Sequence, residues 1–526
     1  MGTEIKKKEQ TMMCAEELKI NNTNIKLNNV KNKKLNSQAT RGTNGITLIA
    51  LVVTIVVLLI LAGITISLVF SENGIIAKAK EAAEKTNQAA INEQEQMNEV
   101  AGYLDNMLNE IGGNGEEPNP PKPTLPSDGS YSEEKGVNTP NLGEGMTPIK
   151  WDETKNDWVE TNGSDPEWYN YGETESTRKW ANAKTSDGSM WVWIPRYAYS
   201  ITSGYHQSGA QINPTTPTEG AGNIEVEFVK GLTNETSTGR KTFQNSSGQG
   251  NWNIHPAFNY GSTVSGIWVA KFEASPEGAT TDKANSQYGG TDKKLQVKSG
   301  VSSWRAINIG NAYTVCLNYN KALNSHMMKN DEWGAVAYLS KSKYGKQHEE
   351  VWNNNSGSFI TGSAGNSASA NMNIGTTNDY TSTQGVKAST TGNVYGVYDM
   401  SGGAWEYVAG YVNNGNGNLT SYGSSLVNGD AKTKNVYSKA SSDNNTNNYN
   451  ANSGKCGDAV YETSANGNSS NGSWYGDYSY FPFAGVPFFR RGGIYNDGTY
   501  AGVFYFNDGS GNSDSSGSFR PVLVAL

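Results

Sequence analysis

Residues 490–526 read RRGGIYNDGTYAGVFYFNDGSGNSDSSGSFRPVLVAL, a stretch in which an apolar and arginine framework alternates with Tyr, Asn, Asp, Ser, Thr and Gly. Tyrosine supplies rigid amphipathic contact area at low rotamer cost, and the short polar residues supply adaptable hydrogen bonding, as in antibody paratopes. The composition therefore favours a binding surface, and a polar loop without a task is the alternative.

The same stretch omits residue types that are ordinary on protein surfaces, because residues 494–518 contain no Lys, Glu, Gln, Met or Trp. It resembles the variable region of proteins that diversity-generating retroelements mutate at the adenines of AAY codons. Such codons keep a pyrimidine at their third position and encode none of the five missing types. The positions that this resemblance marks as diversified and ligand-binding are Ile494, Tyr495, Asn496, Asp497, Thr499, Tyr500, Tyr505, Asn507, Asp508, Ser510, Asn512, Ser513, Asp514, Ser515 and Ser516.

The framework between these positions has its own physical requirements. Gly492 and Gly493 permit positive φ, and a buried Arg491 or Arg520 can join loops to carboxylates or carbonyls with its forked donors. Alternate aromatic residues can enter a core, and these are Phe504, Phe506 and Phe519. The side chains between these framework residues are free to vary. We expect three of them, Tyr495, Tyr500 and Tyr505, to be exposed anchors for the ligand.

The order of elements over residues 145–526 resembles the formylglycine-generating-enzyme (sulfatase-modifying) type of C-type lectin fold. The matching stretches are residues 266–275, the segment around Asp331-Glu332-Trp333, residues 396–410, and the two ends of the C-terminal framework, 491–493 and 518–520. The resemblance implies an α+β ectodomain whose last segment tolerates sequence change. Within residues 396–410, we expect Trp405 and Glu406 to belong to the core and framework rather than to contact a ligand.

An enzyme of that family is disfavoured by the cysteines and histidines. The family's oxidases need reactive cysteines in the C-terminal part of the domain, and this chain has none after Cys456. Cys316 and Cys456 form either a disulfide or two free thiols. The histidines are scattered without metal-ligand spacing: His206, His255, His326 and His348. We expect no enzyme and no cofactor, and a structural calcium ion, which lectin-like folds can carry, has no assigned ligands.

The N-terminal region predicts how the ectodomain is displayed. Residues 46–70 are twenty-five residues without a charge, long enough to cross a bilayer as a helix. Residues 1–45 carry nine Lys and Arg against four Glu, so the positive-inside rule places this leader in the cytoplasm and the ectodomain outside. The junction Gly45-Ile46 resembles a type IV prepilin processing site, which implies a pilin-like helix over residues 46–111. Ala50 stands where pilins usually carry glutamate, and an ordinary signal anchor is the alternative.

The remaining organisation follows from composition. The Pro- and Gly-rich residues 112–144 predict an extended linker before the ectodomain of residues 145–526, in which 490–526 is the variable region. Net charge is −8, and nucleic acid is not an expected partner because no Lys/Arg cluster follows the leader.

Strand and helix signals are clearest in the middle of the chain. Aromatic and β-branched runs predict strands within residues 189–201, 224–229 and 266–275. A capping residue, early acids and helical spacing predict one amphipathic helix at 330–342. Residues 357–393 and 413–471 are rich in Asn, Ser, Gly and Thr and predict long surface loops.

Together these features predict a cell-surface or pilus-displayed protein with a hypervariable ligand-binding patch. Its ligand is left open between a protein, a glycan and a phage or cell-surface particle. The membrane, through residues 46–70, and other pilin subunits are the further expected partners. The alternatives are a structural pilin-like subunit without a variable binding role and, less favoured, a formylglycine-generating-type oxidase.

Overall fold

The computed structural model describes residues 128–209, 221–373, 375, 377–469 and 471–526. The predicted leader, membrane segment and pilin-like helix lie outside these residues, as do the junction residues Gly45 and Ile46. Within the described ranges, no helix is both long and apolar enough to span a membrane. The architecture that follows concerns the described residues, which include the predicted ectodomain.

The described residues form twenty-three short strands and five α-helices, which is a sheet-rich α+β composition. Strands β1 to β23 are Tyr131–Ser132, Val137–Asn138, Met146–Asp152, Asp157–Glu160, Asn170–Tyr171, Arg178–Lys179, Asn182–Thr185, Met190–Pro195, Tyr197–Ser203, Asn223–Phe228, Asn253–Ile254, Gly266–Ala270, Ser275–Pro276, Leu295–Gln296, His326–Met327, Trp405–Asn413, Asn435–Ser438, Asn468–Ser469, Ser479–Tyr480, Phe488–Gly492, Gly502–Gly509, Gly517–Phe519 and Pro521–Leu523. Helices α1 to α5 are Ile309–Tyr319, Asn330–Ser340, Gly417–Ser421, Ser424–Asn428 and Asn445–Ala451. The short 3-10 helices are Pro256–Phe258, Gly385–Ala388, Ala431–Thr433, Tyr461–Thr463, Trp474–Gly476 and Gly498–Tyr500.

One seven-stranded antiparallel sheet has the order β15-β23-β12-β8-β7-β3-β4. Its central strands, β8 (MWVWIP) and β12 (GIWVA), are buried along almost their whole length, as expected for aromatic and β-branched runs inside a core. The C-terminal strand β23 pairs with β12 through Trp268↔Leu523 and Val269↔Val522. Strand β23, near the end of the chain, is therefore an interior strand of this sheet, between β15 and β12. Strands β8 and β12 confirm the strands predicted within residues 189–201 and 266–275.

A second seven-stranded sheet carries the predicted variable region. Its strands follow the order β17-β16-β20-β21-β19-β18, and β22 pairs in parallel with β16. Strands β20 and β21 are antiparallel neighbours with the register Arg490↔Asn507 and Arg491↔Phe506. The variable positions therefore lie between these two strands, on β21, and in the segment that joins β21 to β22.

Helix α2 confirms the helix predicted at 330–342, but it is not amphipathic, since all eleven of its residues are buried. The indole of Trp333 donates to the carbonyl of Val503 on β21 at 2.8 Å, so the helix supports the second sheet from inside. Helix α1, which the sequence analysis did not predict, begins after Asn308, whose side chain accepts from the amide of Asn311.

The predicted surface loops contain more structure than their composition indicates. Residues 413–471 hold three short α-helices, two 3-10 helices and strands β17 and β18. Asparagine caps begin two of the α-helices, at Asn416 and Asn444. In residues 357–393, Ser389, Thr390 and Thr391 are buried. Asparagine satisfies helix termini as readily as it forms turns, so composition alone did not separate the two outcomes.

The last part of the predicted linker is packed against the ectodomain. Strands β1 and β2 form a hairpin in which Val137 and Asn138 are buried. The amide of Asn138 donates to the carbonyl of Ser265 at 2.8 Å, and Trp193 donates to the carbonyl of Asn138 at 3.2 Å. Residues 128–144 thus differ from the extended segment that their composition predicts.

The two ectodomain cysteines are free thiols rather than a disulfide, and Cys316 is buried whereas Cys456 is partly buried. Burial in the surrounding core raises the pKa of Cys456 to about 12. The sequence left open whether Cys316 and Cys456 form a disulfide or two free thiols, and the structure shows two free thiols.

Candidate ligand-binding site

The framework of the C-terminal segment is built as the sequence predicts. Gly492 and Gly493 both have φ of +81°, and a Cβ at Gly493 would lie 2.8 Å from the Cα of Ala501. Only glycine fits that position without strain. The three framework phenylalanines are fully buried: Phe504, Phe506 and Phe519.

Arg520 closes the framework through a buried ion pair. Its guanidinium contacts Glu406 at 2.6 and 3.0 Å and donates to the carbonyls of Ala270 and Tyr398 at 2.8 and 2.9 Å. Burial raises the pKa of Glu406 to about 7, although the arginine opposes this shift. The predictions for Arg520 and Glu406 are therefore confirmed.

Arg491 is equally buried but binds mainly carbonyl and amide oxygens. Its guanidinium donates to the carbonyl of Ala459 at 3.1 Å and to the side chain of Asn330 at 3.3 Å. Burial lowers its pKa to about 10. Arg491 thereby joins the second sheet to helix α2 and to the loop before the Tyr461–Thr463 turn, as the forked donor set predicts.

Two further buried carboxylates hold the segment just before β16. Asp399 accepts from the side chain of Asn354 at 2.8 Å and from the amide of Gly362 at 2.9 Å. Glu273 accepts from the amide of Ala404 at 2.8 Å. These two carboxylates therefore help to hold the main chain of residues 402–406, which contacts the variable residues.

Fixed residues hold the main chain of five variable positions, independently of their side chains. The contacts are Tyr495 N to Gly403 O (2.9 Å), Trp405 N to Ser516 O (3.0 Å), Tyr478 N to Tyr500 O (3.0 Å), Ala306 N to Asp514 O (2.8 Å) and Arg305 Nη1 to Ser515 O (2.7 Å). Since every non-proline residue offers the same backbone groups, these contacts survive most substitutions at the variable positions.

Thirteen of the fifteen variable positions reach solvent. The exposed ones are Asn496, Tyr500, Asn512, Ser513 and Ser515, and the partly buried ones are Tyr495, Asp497, Thr499, Asn507, Asp508, Ser510, Asp514 and Ser516. Ile494 and Tyr505 are buried. Of the three tyrosines expected to be exposed, Tyr500 is 40% exposed and Tyr505 only 2%, so that expectation is wrong for Tyr505.

Tyr505 lies beneath the exposed variable side chains, in a layer here called the floor of the surface. Its hydroxyl accepts from the indole of Trp405 at 3.0 Å and from the amide of Asn507 at 3.2 Å. Its ring centroid is 5.7 Å from that of Tyr478. Burial raises the pKa of Tyr505. It points away from the core, as strand alternation predicts, but its neighbours cover it.

Arg490 and Trp405 form the rest of the floor. The sequence analysis did not single out Arg490, and it placed Trp405 in the core and framework, whereas the structure leaves Trp405 partly exposed. The guanidinium lies 4.6 Å from the centre of the indole, and it donates to the carbonyl of Asp508 at 2.8 Å and to the carboxylate of Asp514 at 3.4 Å. Strand alternation could have identified them, because Arg490 neighbours the buried Arg491 and Trp405 neighbours the buried Glu406.

A second group of fixed side chains packs beside Tyr495. Its ring meets that of Phe359 edge-on at 4.9 Å, and Ile494 packs with Phe359 and Ala404. The guanidinium of Arg305 lies 4.2 Å from the centre of the Phe359 ring. The variable residues are thus bordered by fixed aromatic and arginine side chains on two sides.

The charged side chains among the variable positions are all acidic, and they are Asp497, Asp508 and Asp514. Burial raises the pKa of Asp508 to about 6 against the opposing charge of Arg490, and burial also raises the pKa of Asp497. Across the described residues, no group of three or more His, Cys, Asp or Glu side chains is placed to hold a metal ion. The arrangement offers aromatic faces, amides, hydroxyls and carboxylates for recognition.

Comparisons with known proteins place few constraints on this chain. No protein-family model and no curated protein matches it. The structure of PvdO from Pseudomonas aeruginosa is similar at a TM-score of 0.28 and 11% identity, covering 66% of this chain and 98% of that one. Treponema denticola variable protein 1 is similar at a TM-score of 0.24 and 11% identity, covering 64% and 97%. At these TM-scores neither likeness carries an argument about the fold or the function.

Proposed function

We propose that this chain is a binding protein, rather than an enzyme, and that its ligand surface consists of the variable positions on the second sheet. The observation that carries the proposal is how these positions are held. Fixed residues bind the main chain of five of the fifteen positions, while thirteen of the fifteen side chains reach solvent. A surface of this kind can change its side chains while its backbone stays in place.

The chemistry of the surface supports recognition more than catalysis. Tyr495 and Tyr500 supply amphipathic contact area, and Asn496, Asn512 and Ser513 supply adaptable hydrogen bonds. The buried charges nearby, such as Glu406 and Arg520, are paired with each other. They stabilise the framework and do not face the surface.

The proposal includes the origin and the display of this surface. Diversification by a retroelement accounts for the five residue types missing from residues 494–518. A C-type lectin-like scaffold accounts for a framework that tolerates this change. The membrane segment and the junction Gly45-Ile46 would present the ectodomain on the cell surface or on a pilus.

A display library tests the proposal directly. The full ectodomain is displayed on yeast with AAY-derived codon diversity at the accessible variable positions and is selected against two probe proteins, egg-white lysozyme and ovalbumin. We expect most members to bind a conformation-dependent antibody raised against the parent, and selection to yield clones that bind a probe.

The matched control library places the same diversity at Phe504, Phe506 and Phe519. Because these side chains are fully buried, most of its members should lose the conformational epitope. Equal loss in both libraries would refute a tolerant surface. A well-folded first library without binders would refute the binding role and favour a structural subunit.

A further inference from the structure

Four aromatic residues outside the variable region continue its surface along the second sheet. They are Trp405, Tyr478, Tyr480 and Phe483, here called the aromatic strip, and each is partly exposed. The ring centroids of Tyr478 and Tyr480 are 6.2 Å apart with nearly parallel planes, and Tyr480 meets Phe483 at 5.9 Å. Tyr505 joins Trp405 to Tyr478.

Strand geometry places the strip on the outer face of the sheet. Ser479 is buried and pairs with Phe506, whose ring is in the core. Tyr478 and Tyr480 flank Ser479, so they point to the opposite face. Tyr505 lies on that face too, because it separates Phe504 from Phe506. The strip and the floor of the variable surface are therefore one continuous face.

The charges beside the strip are mostly negative. Three variable carboxylates, of Asp497, Asp508 and Asp514, lie near one partly exposed cation, Arg490, whose charge is already engaged by Asp514 and by the indole of Trp405. Asp508 and Asp497 are close enough to Tyr478 to contribute, after burial, to raising its pKa. Aromatic faces beside carboxylates attract cationic groups.

We infer that the ligand surface extends from the variable positions onto the aromatic strip, and that the strip binds lysine or arginine side chains of a protein partner. This inference rests on the proposed function. A row of partly exposed aromatic rings is the composition of interface anchors, and the neighbouring carboxylates select a positive partner.

The strip gives the variable surface a constant component. Its four residues lie outside residues 494–516, so diversification of the variable positions leaves them unchanged. Each variant would keep the same aromatic anchors for cationic side chains. The variable side chains, which include the three carboxylates of Asp497, Asp508 and Asp514, would decide which cationic partner fits. Affinity and specificity would then come from different residues of one surface.

The experiment uses clones selected from the display library against lysozyme, a basic probe. The double substitution Tyr478→Ser and Tyr480→Ser should weaken their binding by about tenfold, as for loss of interface anchors. Tyr478→Phe with Tyr480→Phe keeps the rings and should retain most of the affinity. Tyr131→Ser is the matched control, since Tyr131 is a partly buried tyrosine of strand β1, outside the second sheet.

A second measurement changes the probe and leaves the protein intact. Acetylation removes the positive charge of the lysozyme lysines and should also weaken binding by about tenfold. If clones bind lysozyme but respond neither to the serine substitutions nor to acetylation, the inference is overturned while the proposed function stands. If the library yields no binders at all, the proposed function fails first.

Discussion

Arg490 and Arg491 are adjacent in strand β20, yet Arg491 is fully buried whereas Arg490 is partly exposed. Trp405 and Glu406 repeat this contrast on the neighbouring strand β16, where Glu406 is buried and Trp405 is partly exposed. Because successive residues of a strand face opposite sides, the second sheet has an inner face that supports the fold and an outer face that carries the proposed variable surface.

The two faces are held by different kinds of contact. On the inner face, specific side chains bind one another, as Arg520 binds Glu406 at 2.6 Å. On the outer face, fixed groups bind the main chain of variable residues such as Tyr495 and Ser516. The inner face therefore depends on residue identity, and the outer face depends mainly on backbone position.

The largest effect that would test this contrast is expected for Arg520→Ala. The substitution leaves Glu406 buried without its ion-pair partner, and such a loss costs about 3–5 kcal/mol of the free energy of unfolding. Urea denaturation monitored by tryptophan fluorescence measures it. Arg490→Ala is the matched control, and it should cost no more than about 1 kcal/mol because Arg490 is partly exposed. Similar losses in both variants would remove the distinction between the faces.

The sequence predicted the inner face well because its signals are local. The alternation in residues 504–506 placed Phe504 and Phe506 in the core, and a pair of glycines marked the positive φ at Gly492 and Gly493. The outer face was predicted less completely. Alternation correctly points Tyr505 outward, but only tertiary structure brings Trp405 and Tyr478 over it.

The same limit explains the other differences. Helix α1 contains Gly310, Asn311 and Asn318, which are weak helix formers, and packing rather than propensity stabilises it. The packing of strand β2, the buried half of the β1–β2 hairpin, depends on a contact between Asn138 and Ser265, residues far apart in sequence. Local composition carries no information about such pairs.

A smaller effect concerns pH and the buried carboxylates of the inner side. Glu462 accepts hydrogen bonds from Tyr199 at 2.9 Å, from Tyr338 at 2.7 Å and from the amide of Gly457 at 2.7 Å. Burial raises its pKa to about 7. The folded state therefore holds this proton more tightly than the unfolded state. The resulting stability is fully present below pH ~4.5 and is lost as pH rises to about 7.

We expect the melting temperature to fall between pH 5 and pH 8, and Glu462→Gln to reduce that fall. The glutamine stays neutral and removes a contribution on the order of 2–3 kcal/mol to the pH dependence. Differential scanning calorimetry at both pH values measures the change. Glu225→Gln, at an exposed glutamate, should leave the fall unaltered, and an identical slope in both variants would contradict the assignment to Glu462.

The smallest effect is expected on the outer face, for Tyr500→Ala. This tyrosine is 40% exposed, so its loss should change the free energy of unfolding by less than about 0.5 kcal/mol. Tyr505→Ala, by comparison, should cost about 2 kcal/mol or more, because Tyr505 is buried against Trp405 and Tyr478. Urea denaturation of the two single variants separates these outcomes. Equal losses in the free energy of unfolding would mean that Tyr505 does not support the exposed side chains of the outer face. In a second library that also diversifies Tyr505, equal costs would predict that Tyr505 varies as freely as Tyr500 among folded clones, whereas a buried supporting position should retain a large aromatic residue more often.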